Sequence, residues 1–227
     1  MCFNAKVSLA TYIVGMVGSI NLYFNFNLKA EAILYFCVIQ MQLVEYFLWI
    51  NQTCNETNRI TTKAGIIINH LEPVALWIGI LLYSKNILPD WVNYMMILFL
   101  IATYLYTRYV LSDNCKLSHN KNKKINEEVN GCGPNKCTLV SSESGNHLFW
   151  AWNNAKYKNT YYVFFLLSLN ILAINGLNNG YVLASLITGS FIISNIIYRN
   201  TKSIGAMWCF IVAFLPWITP YLSQMKI

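Results

Sequence analysis

The segment Asn69–Trp77 reads NHLEPVALW, setting a His, a Glu and a Pro inside a run otherwise apolar enough to lie in a bilayer. An imidazole has a reference pKa of about 6.5 and exchanges protons near neutrality. A carboxylate takes up a proton or a cation. Pro73 has no N–H to offer the carbonyl of Asn69, so that oxygen is left free beside His70. A second group lies upstream, where Gln42, Glu45 and Trp49 follow an i, i+3, i+7 spacing that puts them on one helix face. Ionisable groups within membrane spans are costly, face the bundle interior, and mark solute, ion or proton paths. The competing reading is that His70, Glu45 and Glu72 only staple helices together, at about 1 kcal/mol or less per bond.

The elements that must hold these groups follow from composition. The chain has 227 residues, 56% apolar and 11% charged, with mean hydropathy +0.41. Soluble domains carry about a quarter charged residues, so this chain lacks the polar surface that water requires. Seven apolar runs approach the roughly 20 residues a membrane helix needs: Val7–Phe24, Ala30–Ile50, Lys63–Tyr83, Trp91–Leu111, Tyr161–Leu177, Tyr181–Tyr198 and Gly205–Leu222. Helices satisfy their own backbone groups in lipid. The expectation is therefore an all-α integral membrane bundle of seven transmembrane helices, one domain over residues 1–227. Trp49, Trp91, Tyr161 and Tyr198 fall near span ends, as interfacial aromatic belts do. The first span lacks the cleavage site and basic n-region of a signal peptide and reads as a retained helix.

A polar, basic loop at about 112–158 interrupts the spans and reads as exposed and partly disordered. Within it Leu148–Trp152, LFWAW, reads as an interfacial or re-entrant segment. Gly15, Gly18 and Ser19 in the first span and Ser185 and Gly189 in the sixth are small-residue patterns for close helix packing. Pro216 and Pro220 are expected to bend or end the last span.

Seven crossings put the N-terminus and the loops after spans two, four and six on one side, side A. Counting about 1.5 Å per residue, Glu45 lies roughly 8 Å below side A, and His70 and Glu72 roughly 10–14 Å. Cys209 is a turn into the last span from the same side. Cys2, Cys54, Asn58, His147 and Arg199 belong to side-A termini and loops. The reactive residues thus gather in one half of the protein. Thirteen of the sixteen Lys and Arg also lie on side A, which the positive-inside rule places in the cytosol with the N-terminus. Two sequons, Asn51–Thr53 and Asn55–Thr57, and the side-A cysteines argue for an oxidising compartment instead.

Cys115, His119, Cys132 and Cys137 form C-x3-H-x12-C-x4-C, for which a zinc knuckle, disulfides and plain thiols are all open. A second metal possibility combines His70, His147 and Glu45 or Glu72, with Cys2 or Cys209, a mixed donor set that suits zinc or another transition metal. The last span has no Lys, so no retinal Schiff base is expected. No P-loop, potassium-filter or G-x-S-x-G signature is present, and three histidines are too few for a seven-pass zinc ceramide hydrolase.

MCFNAKVSLA at the start, CNETNRIT followed by NHLEP, then GNHLFWAW and AMWCF occur in order from Cys2 to Phe210. In these the chain resembles an uncharacterised family of multi-pass membrane proteins of giant viruses and algae, with H-x-x-P, G-x-H-[LI]-x-W and W-C-F motifs. The family more often has Gln where this chain has Glu72, and an acidic residue where Lys202 stands. The resemblance implies that Cys2, His70, Pro73, His147, Trp150, Trp208 and Cys209 matter, and, if the source is viral, a host or virion membrane. It implies no reaction.

The first expectation is therefore a polar pocket open toward side A that binds or transports a small solute, ion or proton. It would use Gln42, Glu45, Asn69, His70, Glu72, Pro73, His147, Trp150, Trp208 and Cys209, with His70 titrating and His147 on a lid. A membrane-embedded metal-dependent hydrolase with His70, His147 and Cys2 as ligand candidates is the alternative, and a non-catalytic scaffold a third. The expected partners are the lipid bilayer and a small solute or ion, with no nucleic acid.

Overall fold

The computed structural model describes residues 4–116, 133, 135–141, 147–148, 150, 152, 155–198 and 204–224. Among them the chain forms eight helices: α1 (Ala5–Phe24), α2 (Lys29–Ile50), α3 (Glu56–Tyr83), α4 (Asp90–Val110), α5 (Lys158–Gly176), α6 (Gly180–Tyr198), α7 (Ile204–Val212) and α8 (Leu215–Gln224). One two-stranded antiparallel pair, β1 (Val140–Ser141) and β2 (His147–Leu148), lies between α4 and α5. The fold is all-α, as composition requires.

Local signals set the helix ends. Asn4 caps α1 by accepting from the Val7 N–H at 3.0 Å, and Asn55 caps α3 by accepting from the Asn58 N–H at 2.9 Å. Asp90 in the first turn of α4 and Arg108 in its last turn complement the helix dipole. Polar contacts then gather alternate ends. At the end opposite side A, called side B, the Tyr23 and Tyr83 hydroxyls meet at 3.1 Å and the Ser84 hydroxyl donates to the Gly176 carbonyl. At side A, Asn58 Nδ2 donates to the carbonyls of Asn51 and Thr138, and the Lys156 N–H donates to the Lys116 carbonyl. Successive helices therefore run up and down between two ends, with α1, α2 and α3 packed most extensively.

α1, α2, α3 and α6 are long and apolar enough to cross a membrane, and α7 with α8 would make a fifth crossing if the pair, bent by 56°, is one span. Helices do occupy all seven expected runs, but α4 and α5 fall short of the apolarity of a crossing helix. Asp90, Asn93, Thr103, Thr107 and Arg108 dilute α4; Lys158, Asn159, Asn170 and Asn175 dilute α5. The bend between α7 and α8 sits at Ala213–Phe214, just ahead of Pro216, where the missing N–H breaks the ladder. Apolar side chains also coat the outside: Ile13, Val17 and Ile20 on α1, Leu98, Ile101 and Leu105 on α4, and Ile192, Ile193 and Ile196 on α6 are all exposed. Water does not favour such a surface, and acyl chains do.

The small residues of α1 do the packing expected of them. A methyl added at Gly15 would lie 2.8 Å from Ile39, and one at Gly18 would lie 2.8 Å from Trp217. The pattern in α6 does not behave this way. Gly189 has open space beside it and Ser185 is exposed, because α6 turns Leu183, Ala184, Ile187 and Ser190 inward instead. α2 and α3 also approach closely by backbone, where a Cβ on Gly79 would sit 2.9 Å from the Ala30 carbonyl oxygen. Backbone cannot step aside as a side chain can, so Gly79→Ala is expected to cost about 1–3 kcal/mol. Thermal unfolding in detergent checks this, with Gly189→Ala expected to leave the midpoint unchanged.

Candidate functional site

α3 organises the interior. His70 and Glu72 are both fully buried on it, yet two residues apart they project about 200° around the helix from one another. His70 turns to α4 and α5. Its Nδ1 lies 2.7 Å from Thr107 Oγ1, and its ring packs 4.8 Å from Tyr161 and 5.4 Å from Tyr106, which are themselves stacked at 4.3 Å. Nε2 of His70 has no hydrogen-bond partner. Among the described residues no hydrogen bond or ion pair joins His70 to Glu45 or Glu72.

Glu72 turns elsewhere. Asn69 lies beside its carboxylate, but neither oxygen receives a hydrogen bond of good geometry. Glu45 on α2 is buried next to Gln42; its Oε1 and the Gln42 Nε2 are also unpartnered. Cys209 of α7 lies within electrostatic reach of both carboxyl groups, and Cys37 of α2 and Tyr161 and Tyr162 of α5 lie within reach of Glu72. Cys209 thus lies near both Glu45 and Glu72. The expected pairing of His70 with either acid is absent among the described residues, because Thr107 and the tyrosine rings occupy its side of α3.

Pro73 leaves α3 continuous from Glu56 to Tyr83. Just ahead of it, Asn69 Oδ1 accepts from the Tyr162 hydroxyl at 2.8 Å. Asn69 and Tyr162 also line a cavity of about 310 Å³ formed by α3, α5, α6 and α7, whose walls include Asn159, Phe165, Phe191, Asn195 and Trp208. Trp208 is held in place by a bond of 3.0 Å from Nε1 to Ser190 Oγ and by the edges of Phe165 and Phe191. Asn69 therefore stands between the cavity and Glu72.

Described residues between α4 and α5 form a cap at side A. α3 has 28 residues and is roughly 42 Å long, against about 30 Å of hydrocarbon, so its polar first turns extend past the apolar zone. Asn58 there donates to the Asn51 and Thr138 carbonyls at 2.6 and 3.0 Å and accepts from the Thr138 N–H at 3.0 Å. Cys54 and Cys137 form a disulfide, with Cα atoms 5.5 Å apart. The Val140 N–H donates to Gln52 Oε1 at 2.8 Å, and β1 with β2 completes the clasp. His147 lies edge-on to Tyr198 at 6.3 Å, and burial lowers its proton affinity below that of a solvated imidazole.

Trp150 and Trp152 stack at 4.9 Å and are almost fully buried. Gly65 of α3 lies close by: a Cβ there would sit at an ordinary 3.7 Å from Trp152 Cη2 and at a tight 3.0 Å from Val44 of α2. Leu148, Trp150 and Trp152 thus turn inward rather than lying in the interface, and Phe149 and Ala151 lie outside the described residues. Tyr161, expected in an interfacial belt, is buried against His70.

The zinc knuckle is overturned at two of its four positions. Cys137 is bound to Cys54 and Cys115 is likewise disulfide-bonded, so neither offers a thiolate. His119, Cys132 and Cys2 lie outside the described residues, among which no three His, Cys, Asp or Glu side chains group to hold a metal. Thr107, Thr138 and Tyr162 escaped the sequence reading, while Asn58 was placed only among the side-A loops and Trp152 only within LFWAW.

No protein-family model matches the chain, and neither curated proteins nor solved structures give a match.

Asn58→Ala is expected to leave two buried carbonyls without a donor, at about 1–3 kcal/mol each. The cap should loosen while the helices persist. Faster amide exchange at Val140 and Leu148 and a red shift of tryptophan emission, with unchanged helical circular dichroism, are the readouts.

Proposed function

We propose that this is a polytopic membrane protein that binds or moves a small solute together with a proton or small cation. The observation that carries the reading is the Glu72 carboxylate, fully buried in the bundle with neither oxygen hydrogen-bonded, beside the cavity-lining Asn69. A bare carboxylate at such depth costs several kcal/mol, so it carries a proton or meets a cation. Glu45, similarly unpartnered at Oε1, shares the task across α2 and α3. His70 serves as packing and hydrogen-bonding support through Thr107 rather than as the titrating group. Seven crossings are part of this proposal. α4 joins the side-B end of α3 to the side-A cap, and α5 returns, so both traverse the apolar layer with Thr103, Tyr161 and Ser168 turned inward.

The reading is tested by infrared difference spectroscopy of purified protein, switching proton or sodium concentration. Carboxyl difference bands are expected, and Glu72→Gln and Glu45→Gln should each remove part of them while His70→Ala keeps them. Spectra unchanged in both glutamine variants would falsify the assignment.

Orientation is proposed opposite to the charge count. The described side-A cysteines, Cys54, Cys115 and Cys137, are all disulfide-bonded, while Cys37 and Cys209 within the helices are free. Disulfides persist in oxidising compartments and are rare in the cytosol, which supports side A facing the lumen or exterior. In intact cells, a membrane-impermeant phosphine followed by an impermeant maleimide is expected to label Cys54 and Cys137. Labelling only after permeabilisation would reverse the orientation.

A further inference from the structure

The cavity between α3, α5, α6 and α7 has an unusual rim for a site fed from water. Val163, which lines it, is 58% exposed, and its outer neighbours Leu167, Ile192 and Ile196 are 52%, 49% and 75% exposed. The opening therefore lies within the aliphatic coat of the bundle, between α5 and α6. Two exposed amides interrupt that coat. Asn159 is in the first turn of α5, and Asn195 is three residues from the side-A end of α6, about 4.5 Å along the helix. Both sit at the depth where lipid head groups meet acyl chains. Deeper in, the walls become apolar and aromatic, with Phe165 and Trp208 almost fully buried. The gradient from amides at the rim to rings at the floor follows the polarity of one amphiphile molecule lying across the interface. At about 310 Å³ the space is at the small end for such ligands.

We propose that this cavity binds a single-chain amphiphile with a phosphate or carboxylate head, reaching it sideways from the side-A leaflet between α5 and α6. The head accepts hydrogen bonds from the Asn159 and Asn195 amides near Lys158. The apolar portion lies along Phe165, Leu166, Phe191 and Trp208. Its inner end meets Asn69 and Tyr162, whose mutual hydrogen bond is the structural link to Glu72. The assignment names the solute class for the cavity in the reading above, and rests on that reading only for the coupling to Glu72, not for binding itself.

Native mass spectrometry of the full chain, released from detergent micelles with oleoyl lysophosphatidic acid, tests it. One equivalent is expected to be retained, with apparent affinity at least tenfold weaker in Leu166→Trp and in Gly205→Phe, two independent ways of filling the space. Asn195→Leu should weaken retention without altering the fold. Glycerol 3-phosphate, the head without its chain, should neither bind nor compete. Equal retention by both filled variants, each folded by circular dichroism, overturns the site. Competition by glycerol 3-phosphate overturns the membrane source and leaves a water-fed solute site. Absence of retention alongside intact Glu72 carboxyl bands overturns this inference while the proposed function stands.

Discussion

The length of α3 governs the rest of the molecule. A helix of 28 residues exceeds the thickness of a hydrocarbon layer by about eight residues, and the surplus is polar and lies at one end. The inner turns carry Asn69, His70 and Glu72 into the bundle, while the outer turns present Asn58 and Thr62 where the polar segment after α4 can bind them. One rigid element thus sets both the depth of the buried acid and the seat of the cap over it. Gly65 and Gly79 serve the same element by letting α2, with Val44 and Ala30, come close along its length.

Much of this was legible in the sequence, and the reasons it was legible are physical. Apolar runs of near-membrane length declare themselves because lipid leaves helices no alternative, and all seven runs are helical. Depth along a helix is a matter of residue count, so an expected level for Glu45, Glu72 and Cys209 follows from the sequence alone. Azimuth was harder. The neighbours that decide where His70 points, Thr107 and Tyr161, lie on helices 37 and 91 residues away, and no local spacing announces them. Likewise Trp150 and Trp152 have the composition of an interfacial belt, and no local spacing announces that they stack on each other and bury inward. The polarity of α4 and α5 was averaged away by their aromatic content, since tyrosine reads as hydrophobic while its hydroxyl seeks partners.

Charge and thiol chemistry point to opposite orientations, and they differ in kind. The excess of Lys and Arg on side A is a statistical bias, strongest in short loops, and much of it falls in the segment between α4 and α5. A disulfide between Cys54 and Cys137 is a covalent feature of the cap that holds two distant parts of the chain together. The segregation is complete among the described cysteines, with loop thiols oxidised and helix thiols reduced, as expected when one compartment oxidises and the membrane shields.

The kink between α7 and α8 divides one stretch of chain between two mechanical partners. α7 is fastened to α6 by the Trp208–Ser190 hydrogen bond, whereas α8 is fastened to α2 through Tyr35 and Thr219 and to α1 through Trp217 and the Val14 carbonyl. α8 also meets the start of α6, where the Asn179 side chain donates to the Ser223 carbonyl. The bend thus lets one stretch of chain brace α6 along its length while reaching back to α1 and α2.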